Sequence, residues 1–158
     1  MSLVVRGARF VSVLFGGVFA GFLVAVLVLE LSLRDYGGPV YAQVRQVELD
    51  SLDKLAAATL LPALVATALL AVVAFRARER GRWRMLAALG ALVLVFVLTL
   101  TVNLPINSEQ NGWNVQAPPA GWAEDRDRWQ LAHAVRTVAA VVAFGCLILR
   151  RRPKDQSG

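Results

Sequence analysis

Four stretches of this 158-residue chain are long, apolar and nearly free of charge, and few folds can accommodate a stretch of that kind. The hydrocarbon core of a bilayer is ~30 Å thick and a helix rises about 1.5 Å per residue, so about 20 mostly apolar residues span it. Phe10 to Leu29, Leu55 to Phe75 and Met85 to Val102 carry no charge, and Gln130 to Leu149 carries only His133 and Arg136. The expectation is an all-α integral membrane four-helix bundle forming a single domain, 1–158. Its transmembrane helices fall near residues 10–33, 55–75, 85–102 and 130–149, joined by loops over 34–54, 76–84 and 103–129.

Charge placement orients the bundle. Arg6 and Arg9 precede the first stretch, Arg76, Arg78, Arg80, Arg82 and Arg84 fill the second connection, and Arg150 to Arg152 with Lys154 follow the fourth. Cytoplasmic ends carry such excesses of Arg and Lys, so both termini and the 76–84 loop are expected inside, in a bacterial cytoplasmic membrane. Loops 34–54 and 103–129 balance their cations with Asp35, Glu48, Asp50, Asp53, Glu109, Glu124, Asp125 and Asp127, and belong outside. A cleaved signal peptide would have an apolar core of about 7–15 residues, shorter than the first stretch, which is therefore read as a retained helix. The net charge of +6 lies in short clusters flanking apolar segments rather than on one basic face, which argues against a nucleic-acid partner. Cys146 is the only cysteine and can form neither an intrachain disulfide nor a cysteine-built metal site.

Small residues recur at helical spacing, Gly17 with Gly21 and Ala87 with Ala91, which suits close helix packing or a homo-oligomer contact. Pro62 is expected to kink the second helix or free a carbonyl within it. Depth is more informative. Counted from the flanking Arg clusters, Glu30 is about 31 Å along its helix, Asn103 about 28 Å, His133 about 25 Å and Arg136 about 21 Å. All four therefore lie in the outer part of the bilayer. Arg136 is the deepest and calls for a partner, with Glu30 nearest by depth and Asp53 or Glu109 as alternatives, unless its side chain snorkels to the headgroups. Trp129, His133 and Arg136 follow i, i+4, i+7 spacing and share one helix face. Singly, Trp129, Trp113 and Trp122 read as interfacial aromatics and His133 as a hydrogen-bonded structural histidine. Asn103, Pro105 and Asn107 either terminate the third helix or orient a polar ligand at the mouth of a cavity.

The ordered pair Asn103-Leu104-Pro105-Ile106-Asn107 and Trp129-x-x-x-His133-x-x-Arg136-Thr137, separated by a Trp-containing loop, resembles the anthrone oxygenase-like family of small membrane proteins. The resemblance extends over essentially the whole chain. It implies oxidation of an aromatic anthrone to an anthraquinone with no flavin, haem or nicotinamide, and no cofactor motif is found in this chain. Under that reading His133 is a base, Arg136 stabilises an enolate-like oxygen, Asn103 and Asn107 hold substrate oxygens, and Trp129 and Glu30 complete a site for a hydrophobic small molecule. Other readings are a binder of a lipid or quinone-like molecule, a structural subunit, and a metal site built from Glu30, His133 and a loop carboxylate. The single histidine weighs against most metal sites.

The topology has a direct test. Tags at Met1 and Gly158 and a probe between Arg76 and Arg84 should report cytoplasm, while probes beside Asp50 and Asn114 report the opposite side. One reversed probe breaks the four-span arrangement.

Overall fold

The computed structural model describes residues 2–149, and every regular element among them is helical. The C-terminal basic cluster from Arg150 to Lys154, and the termini at Met1 and Gly158, lie outside the described residues. Helix α1 spans Leu3–Ser32, with Ser2 as its N-cap accepting from the Val5 amide at 3.4 Å. A short 3-10 turn at Leu33–Asp35 follows, and then Gly37 and Pro39 open α2 over Gly38–Arg76, the proline sitting in the first turn where no backbone donor is missed. Helix α3 spans Arg82–Leu98, a π-helical turn covers Thr99–Asn103, α4 spans Leu104–Asn111, and α5 spans Trp122–Ile148. Acidic Glu124 and Asp125 lie in the first turn of α5, where they complement its dipole.

Four helical units are long and apolar enough to cross a membrane: Leu3–Asp35, Gly38–Arg76, Arg82–Asn111 and Trp122–Ile148. The protein is a multi-pass membrane protein. In the bundle α1 and α3 each pack against both α2 and α5, so that α1 stands diagonal to α3. Phe19 and Leu23 of α1, Leu60 and Ala63 of α2, Leu92 and Val95 of α3, and Ala140 and Ala143 of α5 form the central core. The alanines let helix backbones approach closely, which supplies contact where lipid offers no hydrophobic drive to associate. Val24, Val28, Val65, Val72, Val97, Val138 and Val142 face outward, an apolar surface suited to hydrocarbon.

Two expected loops are corrected. Segment 34–54 is helical from Gly38 onward, and 103–129 contains α4 and the first turns of α5. The polar composition of 34–54 suggested a loop. Its buried residues Gly38, Tyr41, Ala42, Arg45 and Glu48 nevertheless recur at helical intervals, and no glycine or proline interrupts the run from Val40 to Leu61. At 39 residues α2 is about 58 Å long, nearly twice the hydrocarbon thickness, so its first half projects beyond the core of the bilayer. Pro62 lies inside this unbroken helix. Pro105 likewise does not end the third span. It removes the donor that the Thr101 carbonyl would use, the chain loosens into the π-turn, and the hydroxyls of Thr99 and Thr101 donate to the carbonyls of Val95 and Val97 at 2.7 and 2.9 Å.

The small-residue spacings have separate fates. Gly17 admits the ring of Phe144 from α5, whose Cε2 would stand 2.9 Å from a Cβ placed there, whereas no other part of the bundle comes within 4 Å of a Cβ placed at Gly21. Ala87 is exposed on the outer surface of α3. Gly17→Val should therefore lower the melting temperature in detergent by an amount corresponding to about 1–3 kcal/mol, the usual cost of overpacking, while Gly21→Val changes it little. Equal losses would place Gly21 in a contact of its own.

Candidate functional site

One end of the bundle is organised around Arg45, in the part of α2 that projects beyond the spanning stretch, and this side chain is only 2% exposed. Its Nε donates to Gln110 Oε1 at 2.9 Å, its Nη2 to Asn107 Oδ1 at 2.9 Å, and its Nη1 to Glu30 Oε1 at 3.0 Å and to a carboxylate oxygen of Glu48. The guanidinium also stands 4.1 Å from the centre of the Trp129 ring. Glu30 is fully buried, and its second oxygen accepts from Gln130 Nε2 at 3.0 Å. Glu30 thus pairs with Arg45 and not with Arg136, a correction to the pairing expected from depth. Depth along a helix fixes height but not azimuth, and Arg45 lies in a segment whose polar composition resembles a loop.

The same network claims Asn107. Its Oδ1 accepts from both Arg45 and Trp129 Nε1, the latter at 2.7 Å, and its Nδ2 donates to both oxygens of Asp53 at 3.1 Å. Trp129 is 4% exposed, so it is a core residue of this end, packed with Val26 and Ile106, and not an interfacial aromatic. Trp113 and Trp122 pack beside Tyr41 at ring separations of 6.4 and 5.7 Å, capping the end of the bundle. Gly38 makes room for Trp122, whose indole would stand 3.0 Å from a Cβ at that position.

Beneath the network lies a cavity of about 190 Å³. That is below the ~300–1,000 Å³ of pockets for drug-sized ligands, so it suits a compact molecule. Its walls are mostly apolar, including Phe22, Leu23, Leu60 and Phe96, with Asn103, Trp129, His133 and Arg136 among the polar and aromatic members. The His133 ring stacks on Trp129 at 4.7 Å with 8° between planes, and its Nε2 lies 3.0 Å from the Leu23 carbonyl. A carbonyl only accepts, so Nε2 carries the hydrogen and a neutral imidazole keeps its lone pair on Nδ1. That nitrogen is buried and has no partner, as are Arg136 Nε, Asn103 Oδ1 and Glu48 Oε1. All four belong to residues lining the cavity. Buried polar atoms are nearly always hydrogen-bonded, so their gathering around one chamber marks it as a place where a polar ligand can be received. No carboxylate lies within ion-pair distance of Arg136 among the described residues, nor do three His, Cys, Asp or Glu side chains gather there as a metal set.

The site residues read from sequence therefore divide. Asn103, Asn107, Trp129, His133 and Arg136 all line the cavity, while Glu30 stands behind Arg45 and does not. Sequence reasoning missed Arg45, Glu48, Gln110 and Gln130. The signal was present in the helical spacing of Tyr41, Arg45, Glu48 and Leu52, and in the i, i+4, i+7 spacing of Asn103, Asn107 and Gln110.

Arg45→Ala would strand Glu30 and Glu48 in the interior, and loss of one partner from a buried ion pair costs about 3–5 kcal/mol. The variant should accumulate poorly or melt well below the wild type in detergent. Arg128→Ala, which breaks only the surface pair with Asp125, should leave the melting temperature nearly unchanged. Matching behaviour of the two would deny Arg45 its organising place.

No curated protein and no solved structure matches this chain. The family model described as anthrone oxygenase matches residues 54–146, more than half of the chain. This segment contains Asn103, Asn107, Trp129, His133 and Arg136 and begins after Arg45, so it is shorter than the whole-chain extent expected from sequence. With these five cavity residues inside the matched segment and four apolar spans around them, the chain belongs to the anthrone oxygenase family.

Proposed function

We propose that the cavity is the reaction chamber of an oxygenase acting on a hydrophobic, anthrone-like phenolic ketone, with molecular oxygen as oxidant and no cofactor. The observation that carries this reading is the set of partnerless buried atoms on an otherwise apolar wall: a lone pair at His133 Nδ1, a donor at Arg136 Nε and an acceptor at Asn103 Oδ1. An anthrone carries an acidic CH₂ opposite a ring carbonyl. His133 removes a proton from that carbon, and the resulting negative charge spreads to the carbonyl oxygen, where Arg136 donates a hydrogen bond in a water-poor setting. Asn103 accepts from a phenolic hydroxyl, and Trp129 offers a flat apolar face.

The anion supplies the electrons that reduce dioxygen, and a carbon–oxygen bond forms. The proton held by His133 passes to the terminal oxygen, giving a hydroperoxide. Loss of the second hydrogen from that carbon with cleavage of the O–O bond releases water and leaves a new carbonyl. The balance is one anthrone and one dioxygen to one anthraquinone and one water. Asn107 and Glu30, whose polar atoms are spent on Arg45 and its neighbours, act in this scheme as positioning residues that hold the chamber's roof.

Oxygen consumption by purified protein with an anthrone tests the proposal. His133→Ala should lower turnover about 10²–10⁴-fold while the protein stays folded, the range for losing a general base. Arg136→Lys should also lose activity, because an ammonium lacks the planar fork. Full activity in His133→Ala removes the base assignment. Saturable binding of the anthrone with no oxygen uptake above background makes the protein a binder of hydrophobic molecules.

A further inference from the structure

The chamber is open on the side where α2 faces the π-turn. Its α2 wall has an inner row, Glu48, Leu52, Ala56 and Leu60, and an outer row, Leu49, Asp53, Ala57 and Leu61, and Leu100 and Leu104 stand on the facing wall. Leu61, Leu100 and Leu104 are 47%, 48% and 40% exposed on the outside of the bundle, yet they also line the interior. Residues with both properties frame a mouth. Leu61 and Leu100 fall within uncharged spanning stretches, so that mouth opens onto hydrocarbon. Towards the projecting half of α2 a polar cleft with Asp50, Ser108 and Asn111 adjoins the chamber, sharing Asp53 and Asn107 with it. The slit thus grades from carboxylates at one end to leucines at the other.

We infer that this slit is a lateral gateway through which an apolar aromatic ketone or phenol passes from the lipid phase into the chamber, with Leu61 and Leu100 setting the width of what is admitted. The ligand class rests on the function proposed above; the route rests on geometry alone. An apolar ring system partitions into the bilayer and meets leucines there, whereas an approach from water would take it past Asp50 and Asp53. The π-turn supplies the gap, because it interrupts regular helix packing at Thr99–Asn103, on the wall opposite Ala57 and Leu61.

The route can be tested without turnover. The full-length protein in phosphatidylcholine–phosphatidylglycerol vesicles is photolysed with an uncharged phenyl diazirine, and adducts are mapped by peptide mass spectrometry. The buried walls Leu23 and Leu60 should be labelled alongside lipid-facing Val72 and Val138. Leu61→Trp/Leu100→Trp should cut labelling of Leu23 and Leu60 severalfold and leave Val72 and Val138 unchanged, and Leu61→Ala/Leu100→Ala should raise it. Absence of adducts at Leu23 and Leu60 in the wild type, or equal labelling in all three proteins, overturns the gateway. Should the tryptophan pair misfold, adducts would spread to buried Ala74 and Ala143, and the alanine pair then decides: no rise in it overturns the proposal. A labelled chamber in a protein that consumes no oxygen would leave the gateway standing and remove only the oxygenase reading.

Discussion

A charge withdrawn from solvent in a membrane protein is costly unless it is answered, and the Arg45 guanidinium is answered by drawing on three other helical elements. Glu30 comes from α1, Asn107 and Gln110 from α4, and the Trp129 face from α5, while Glu48 is three residues along α2 itself. Three of these partners are held again from behind, Glu30 by Gln130, Asn107 by Asp53, and Gln110 by Tyr41. The penalty for a missing member is high in such surroundings, which makes the arrangement of the helices at this end specific where the alanine-rich seam elsewhere is permissive. The cavity hangs beneath this network and shares its Asn107 and Trp129, so the geometry of the chamber is inherited from the ion pair above it.

Arg45 and Arg136 divide two tasks that one buried cation cannot combine. Arg45 spends four of its five N–H donors on Gln110, Asn107, Glu30 and Glu48, so its charge is already answered by two carboxylates. Arg136 has no carboxylate in ion-pair range among the described residues and keeps a free donor at Nε on the chamber wall. Trp129 joins the two levels, with the Arg45 guanidinium over its ring and the His133 imidazole stacked against it. The orientation of His133 follows from that stack together with the Leu23 carbonyl, which leaves only Nδ1 unassigned.

The spans were legible in the sequence because uncharged runs of this length leave a chain little choice, and Asn103, Asn107, Trp129, His133 and Arg136 were legible as a group because helical spacing and depth placed them together. The partner of Arg136 was not. Pairing depends on helix rotation and on which residues of a polar segment turn inward, and the composition of 34–54 masked a stripe at Tyr41, Arg45 and Glu48 that only helical periodicity could have exposed. Pro105 misled in another way. A proline usually ends a helix, but here a wider turn at Thr99–Asn103 precedes it and α4 continues beyond, so the third span reaches Asn111.

The position of Arg45 along the chain has a consequence for how the protein is made. Both of its carboxylate partners, Glu30 and Glu48, belong to the first two helices, whereas its neutral partners Asn107, Gln110 and Trp129 are synthesised later. The N-terminal hairpin therefore emerges with its cation already answered by charge and can settle in the bilayer before the rest of the bundle exists. The amides and the indole arrive with the second hairpin and find a preformed guanidinium to dock on, so that assembly of the two halves is guided by hydrogen bonds instead of by the meeting of two bare charges.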